Sequence, residues 1–283
     1  MKTFSIFDLV ETLAISMDLI SPEIVDHHRR VTYISWHLAG ELGLSGQEKA
    51  DLVMAAMLHD CGALSLQNRL LTLQFEVKSA TGFSLLRHAE TGYQLLKKLG
   101  HFAQVAEIVR YHHHPWQDSS LQAPENIPLS AYILHLADRF DVLTKNGSRV
   151  DILSHRDEIL QEIKRKSGSL FKPDIVQALE HLAQKESFWL DIVNMSLSNN
   201  IGSYFGIGNE KLGYDNVLEM TEIFSHIIDF RSSFTAAHSS TVSVLSGSLA
   251  RLARFSEEEC FMMKIAGNLH DLGKLVFTCK SNR

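Results

Sequence analysis

Apolar residues recur at helical spacing through almost the whole chain. Val31, Ile34, Leu38 and Leu42 form one such stripe. The capping signals agree with it. Ser21-Pro22-Glu23 reads as a helix start, with a Ser cap, a first-turn Pro and an early acid facing the dipole. Ser45-Gly-Gln-Glu48 is a capping box that opens an Ala/Met/Leu-rich helix stopping near Gly62. The spacing predicts further helices over Phe83–Leu99, with Gly100 as cap, over His101–His114, ended by Pro115, and over Pro128–Thr144. Two more fall over Val150–Lys166 and Pro173–Lys185. Alternating strand-type stretches are missing, so the pattern predicts an all-α fold.

Residues 194–216 are rich in Asn, Ser and Gly and read as a linker. Gly206 and Gly208 are not a dinucleotide loop, because no strand precedes them and the third glycine is misplaced. Beyond this stretch the chain repeats itself. A shift of 211 residues aligns 27–64 with 238–275 without a gap, and 13 of those 38 positions are identical. They include His27/His238, Val31/Val242, Ser45/Ser256, Glu48/Glu259 and Leu58-His59-Asp60/Leu269-His270-Asp271. A duplicated unit explains this better than chance. The predicted organisation is a helical domain over 1–193, a linker over 194–216 and the N-terminal half of a second unit over 217–283.

Composition narrows the function. The 283 residues carry 27 basic and 33 acidic side chains, a net charge of −6, with no basic block, which argues against a nucleic-acid polymer as partner. The longest apolar run, Leu52–Leu58, is far below the ~18 residues of a membrane span. Asp8 and Glu11 interrupt the apolar N-terminus and make it a poor signal peptide. Cys61, Cys260 and Cys279 form no CxxC, which favours a reducing, cytoplasmic setting without structural zinc. The 15 histidines stand out, because they arrive in clusters.

Each His-Asp pair ends an apolar helix, with another His 32 residues upstream in both copies: His27 to His59 and His238 to His270. Glu23 and His27 are i, i+4 and address one cleft. His88 follows on the next helix. His112 and His113 are adjacent, about 100° apart on a helix, suiting two neighbouring ions rather than one. Asp138 and Asp141 compete late in the Pro128 helix, where Asp141 suits a supporting role. Imidazoles mixed with carboxylates suit Fe, Mn or Zn better than Ca or Mg. His28, His37, His101, His114, His135, His155, His181 and His226 match no motif.

In order, Glu23-x3-His27-x3-Val31, His59-Asp60, His88-Ala-Glu-Thr-Gly92, His112-His113-x-x-Trp116 and Ile133-Leu-x-x-Ala-Asp138-x-x-Asp141 resemble the HD-GYP branch of the HD-domain metal-dependent phosphohydrolases. Residues 218–275 resemble the first half of a second such domain. The resemblance implies an HD-type helical bundle followed by a partial second HD unit. It also implies two or three divalent ions, Fe or Mn, and hydrolysis of cyclic dinucleotides, chiefly cyclic di-GMP, by a metal-activated water. Carried over, the metal ligands are Glu23, His27, His59, Asp60, His88, His112, His113 and Asp138, with Asp60 bridging two ions as the catalytic carboxylate. His238, His270, Asp271 and Lys274 form an incomplete second set. Two positions depart from the family: its lysine three residues after the HD aspartate is Ala63, and Pro115-Trp116-Gln117 stands where Gly-Tyr-Pro is expected. Two alternatives therefore remain open. One is a degenerate, metal-retaining sensor or dimerisation module, partnered by a second copy or a signalling protein. The other is a nucleotide phosphohydrolase of the broader HD superfamily.

Overall fold

A computed structural model describes residues 4–18, 25–63, 79–117, 126–146, 151–194, 205, 211–231 and 237–275. The side chains of 79–85, 145–146, 211–212, 230–231 and 275 fall outside this description. The helix start at Ser21-Pro22-Glu23, and Glu23 with it, also lies outside the described residues. The described residues of Asp26–Ala63 and Gln67–Ile207 form one compact unit, and those of Met1–Val25 and Gly208–Arg283 form another.

Twelve helices dominate the described residues, so the all-α expectation holds. The N-terminal helix α1 (Ile6–Asp18) belongs to the second unit, together with a two-residue antiparallel pair, β1 (Phe4–Ser5) on β2 (Lys211–Leu212). Strands this short leave no alternation to read in a sequence. The β2 strand and the first residues of the helix beginning at Tyr214 fall within the stretch expected to be linker.

In the first unit, α2 (His27–Glu41) packs on α3 (Gly46–Leu58), and α4 (Ser79–Leu96) packs on α5 (Ala103–Tyr111). The central α6 (Leu129–Asn146) touches α2, α3 and α5, while α7 (Ile152–Arg165), α8 (Pro173–Leu182) and α9 (Glu186–Asn194) close one side. Helix α9 was not expected. Lys185 lies in the turn that separates it from α8, and Trp189 anchors it, fully buried, with its indole N–H donating to the Ala183 carbonyl at 2.9 Å. The α2 stripe is the core: Val31, Ile34 and Leu38 are completely buried.

In the second unit, α10 (Tyr214–Arg231) packs on a helical pair, α11 (His238–Leu252) and α12 (Glu257–Leu269). The 211-residue shift carries both ends of α2 onto α11 and both ends of α3 onto α12. The two capping boxes match as well. Ser45 Oγ accepts from the Glu48 N–H and Glu48 accepts from the Ser45 N–H, as Ser256 and Glu259 do. The repeat differs in what covers it. Leu245 and Leu249, the counterparts of the buried Ile34 and Leu38, are more than half exposed.

Candidate metal centre

The first unit gathers its imidazoles where helices end. His27 opens α2, His59 and Asp60 occupy the turn that follows α3, and His112 caps α5 with His113 next to it. His88 on α4 and Asp138 on α6 complete the ring, and all seven side chains are buried. A helix that stops leaves its next side chains free to turn inward, as His59, Asp60, His112 and His113 do. It also changes the expectation for His112 and His113. Because α5 ends at Tyr111, the helical angle between the two does not apply, and their rings lie 4.0 Å apart within one group.

Three overlapping groups of donor atoms result, two of which share no residue. Asp60, His88, His112 and His113 each place one ligand atom within 4.8 Å of the others, as do His27, His59 and Asp138. Asp60 addresses both groups: one carboxylate oxygen lies 3.3 Å from His88 Nε2 and the other 3.6 Å from His59 Nε2. A carboxylate with one oxygen toward each group is placed to bridge two ions.

The protonation pattern argues for cations. His59 Nδ1 lies 2.8 Å from the Ala56 carbonyl and His112 Nδ1 lies 2.6 Å from the Val109 carbonyl. A carbonyl only accepts, so these nitrogens carry the protons and Nε2 presents a lone pair. The His59 lone pair faces His27 Nε2 at 3.3 Å, and the His112 lone pair faces His88 Nε2 at 3.3 Å. Burial, then the His88 and His59 imidazoles, holds His112 well below the usual histidine range. Burial, with His112, His88 and Arg139, does the same for His113. Protonating His112 is therefore a poor way to relieve its close approach to His88. The Nε2 of His113 is buried with no hydrogen-bond partner among the described residues, as expected of an atom reserved for a ligand. The residues fit a divalent transition metal.

Outer contacts hold these ligands. Asp141 accepts from His27 Nδ1, and Asp138 turns one oxygen to His27 and His59 and the other to Arg139, whose two N–H groups lie at 2.6 and 3.1 Å. Burial raises the Asp138 pKa, but Arg139, His59 and His27 outweigh it and keep the carboxyl below its ordinary value. His135 stacks edge-on to His113, and burial with Arg139 nearby pushes its pKa down to about 4. The sequence pattern assigns no role to His28 or His135, and it leaves Arg139 open as a phosphate contact or a solvated or paired side chain, whereas Arg139 is paired with Asp138.

The second unit repeats a fragment of this arrangement. His238, His270 and Asp271 bring ligand atoms within 4.8 Å of one another, partly exposed, and Lys274 Nζ holds the Asp271 carboxylate at 2.6 Å.

Residues 24–143 match the sequence model of the HD domain. The chain carries an HD domain. This bears out the resemblance read from the ordered motifs, and HD domains bind divalent metal. Among curated proteins the chain is 28% identical over 274 residues to 3'3'-cGAMP-specific phosphodiesterase 1 of Vibrio cholerae, covering 93% of this chain and 62% of that one. It is 28% identical over 191 residues to a cyclic di-GMP phosphodiesterase of Thermotoga maritima, covering 64% of this chain and 50% of that one. The chain thus spans 62% of the length of one of these relatives and half of the other. A crystal structure of a cyclic GMP-AMP specific phosphodiesterase of V. cholerae superposes with a TM-score of 0.73 over 98% of this chain and 73% of the other, at 23% identity, which shows a shared fold. Among the described residues, no helix is long and apolar enough to cross a membrane.

Proposed function

We propose that this chain is a metal-dependent phosphohydrolase that cleaves a phosphodiester bond of a cyclic dinucleotide at the centre of the first unit. One observation carries the reading: two pairs of facing imidazole nitrogens, each 3.3 Å apart, flank a single buried aspartate. His27, His59 and Asp138 hold one ion, His88, His112 and His113 a second, and Asp60 bridges them; Glu23 is the ligand for a third. Iron or manganese suits this mixture of imidazole and carboxylate. Bound ions supply an acidified water and positive charge for a phosphate. The protein's own part is to hold the bare nitrogens in place, to keep Asp138 ionised and to exclude bulk water. The two relatives named for cyclic dinucleotides point to the substrate class, and the buried thiols Cys61 and Cys260 suit a cytoplasmic enzyme.

A second reading has its own observation. In the second cluster a lysine sits on the aspartate, whereas the equivalent position in the first unit is the buried Ala63. That loss favours a unit that retains metal but regulates rather than hydrolyses, through a second copy or a signalling partner. Elemental analysis and turnover by the full chain separate the readings. The enzyme reading expects stoichiometric iron or manganese and hydrolysis of cyclic di-GMP or cyclic GMP-AMP that Asp60→Asn abolishes. Metal without turnover selects the regulatory reading, and turnover of nucleoside mono- or triphosphates alone selects a nucleotide phosphohydrolase. A chain that binds no metal overturns all three.

A further inference from the structure

His28 enters the centre from a position that the ordered motifs leave blank. It is the second residue of α2, completely buried, with its ring 5.0 Å from that of His59 and 5.4 Å from that of His27. One of its nitrogens lies within 4.8 Å of ligand atoms of both His59 and Asp60. Donors about 2.1 Å from a common ion approach each other to roughly 3–4 Å, which a small rotation of the ring achieves.

His59 decides which ion this concerns. Its Nδ1 is committed to the Ala56 carbonyl, so it has a single nitrogen to give. The group of His28, His59 and Asp60 and the group of His27, His59 and Asp138 therefore share one donor atom and describe one ion. We propose that His28 is a ligand of the ion held by His27 and His59, giving it three imidazoles and two carboxylate oxygens. The proposal rests on the reading of this centre as metal-binding.

The repeat supplies the contrast within the same chain. The 211-residue shift carries His28 onto Ser239, a buried serine whose hydroxyl and backbone N–H donate to Asp229 at 2.5 and 2.8 Å. The second cluster thus has no counterpart of the third imidazole. The chemical consequence concerns which metal is preferred. A third nitrogen favours ions that take imidazole readily, such as Fe, Co and Ni, over Mn and Mg, which suit oxygen donors.

The test is titration of the purified full chain with Co2+ and, separately, Mn2+, following the visible cobalt band and the dissociation constants. His28→Ser is expected to weaken Co2+ binding at least tenfold and Mn2+ binding less, and to change the cobalt spectrum. His28→Gln, which offers an oxygen at nearly the same reach, is expected to fall between it and the parent and covers the case in which His28→Ser does not fold. His37→Ser, on the same helix but packed against Tyr33 and Phe188, is expected to leave affinity and spectrum unchanged. If the parent binds Co2+ and the His28 variants match it, the His28 assignment is overturned while the metal centre stands. If the parent binds neither metal, both fall.

Discussion

The Asp141 carboxylate lies 2.7 Å from Nδ1 of His27 and makes that nitrogen the protonated one. The imidazole therefore presents Nε2 to His59 and Asp138, in the carboxylate–histidine arrangement that orients metal ligands. Arg30 binds the same carboxylate through Nε at 2.5 Å, and both partners are buried. Asp141→Ala is expected to weaken metal binding about 10–100-fold, measured by competition with a chelator. Separately, it takes from the buried Arg30 its carboxylate, and the metal-free protein is expected to lose about 3–5 kcal/mol in urea denaturation. Asp141→Asn keeps an acceptor for His27 and is expected to lose less metal affinity. Equal affinity in Asp141→Ala and the parent would remove Asp141 from any role at the centre.

Gly62 follows the His59-Asp60 turn, and a Cβ there would meet the His88 carbonyl oxygen at 2.1 Å and the Gly92 nitrogen at 2.4 Å. Both obstacles are backbone, so α4 would have to move, and α4 carries His88. Overpacking of this kind costs about 1–3 kcal/mol. Gly62→Ala is expected to lower the melting temperature and to reduce bound metal together, because the displacement pulls His88 from Asp60. A variant that melts lower yet keeps full metal content would show that α4 yields without moving its ligand.

Much of this was legible in the residues. The 211-residue repeat anticipated a second copy, and the shared capping boxes at Ser45 and Ser256 open α3 and α12 alike. The order of His27, His59-Asp60, His88, His112-His113 and Asp138, through the family it resembles, named the side chains that lie together in the first unit. What escaped depends on distance in space. Nothing local distinguishes Arg139 from a solvated arginine until α6 is buried at the centre of the unit. Nor does sequence reveal that α5 stops one residue before His112, which is what lets neighbouring histidines share a group. Helix α1 offered no sign that it belongs with the C-terminal unit, because its partner strand is two residues long.

The capping box of α3 makes an acid-dependent contribution. The Ser45 side chain, then its backbone N–H, hold the Glu48 carboxyl below its ordinary value of 4.5. A depressed folded value means that the contribution is complete above 4.5 and disappears as pH falls through the folded value. Ser45→Ala removes the cap at a cost of about 1 kcal/mol. The stability gap between parent and variant, from urea denaturation, is expected to be full at neutral pH and to narrow progressively in acid. A gap that stays constant down to strongly acidic pH would mean that the serine acts without Glu48.

The second cluster is expected to contribute little to tightly bound metal. Asp271 spends one oxygen on three neighbours: Lys274 Nζ at 2.6 Å, His270 Nε2 at 3.2 Å and His238 Nε2 at 3.5 Å. Burial raises the Asp271 pKa, but the Lys274 hydrogen bond and the nearby imidazoles outweigh it and keep the carboxylate ionised. An ion arriving there must displace an ammonium and compete with water, since His238 and His270 are more than one-third exposed. His270→Ala is therefore expected to leave the content of tightly bound metal within error of the parent, while His59→Ala in the first unit removes most of it. Lys274→Ala is expected to strengthen weak binding at the second cluster, seen as an additional low-affinity phase in a Co2+ titration. If His270→Ala instead halved the retained metal, the partly exposed cluster would have to be counted as a working site in its own right.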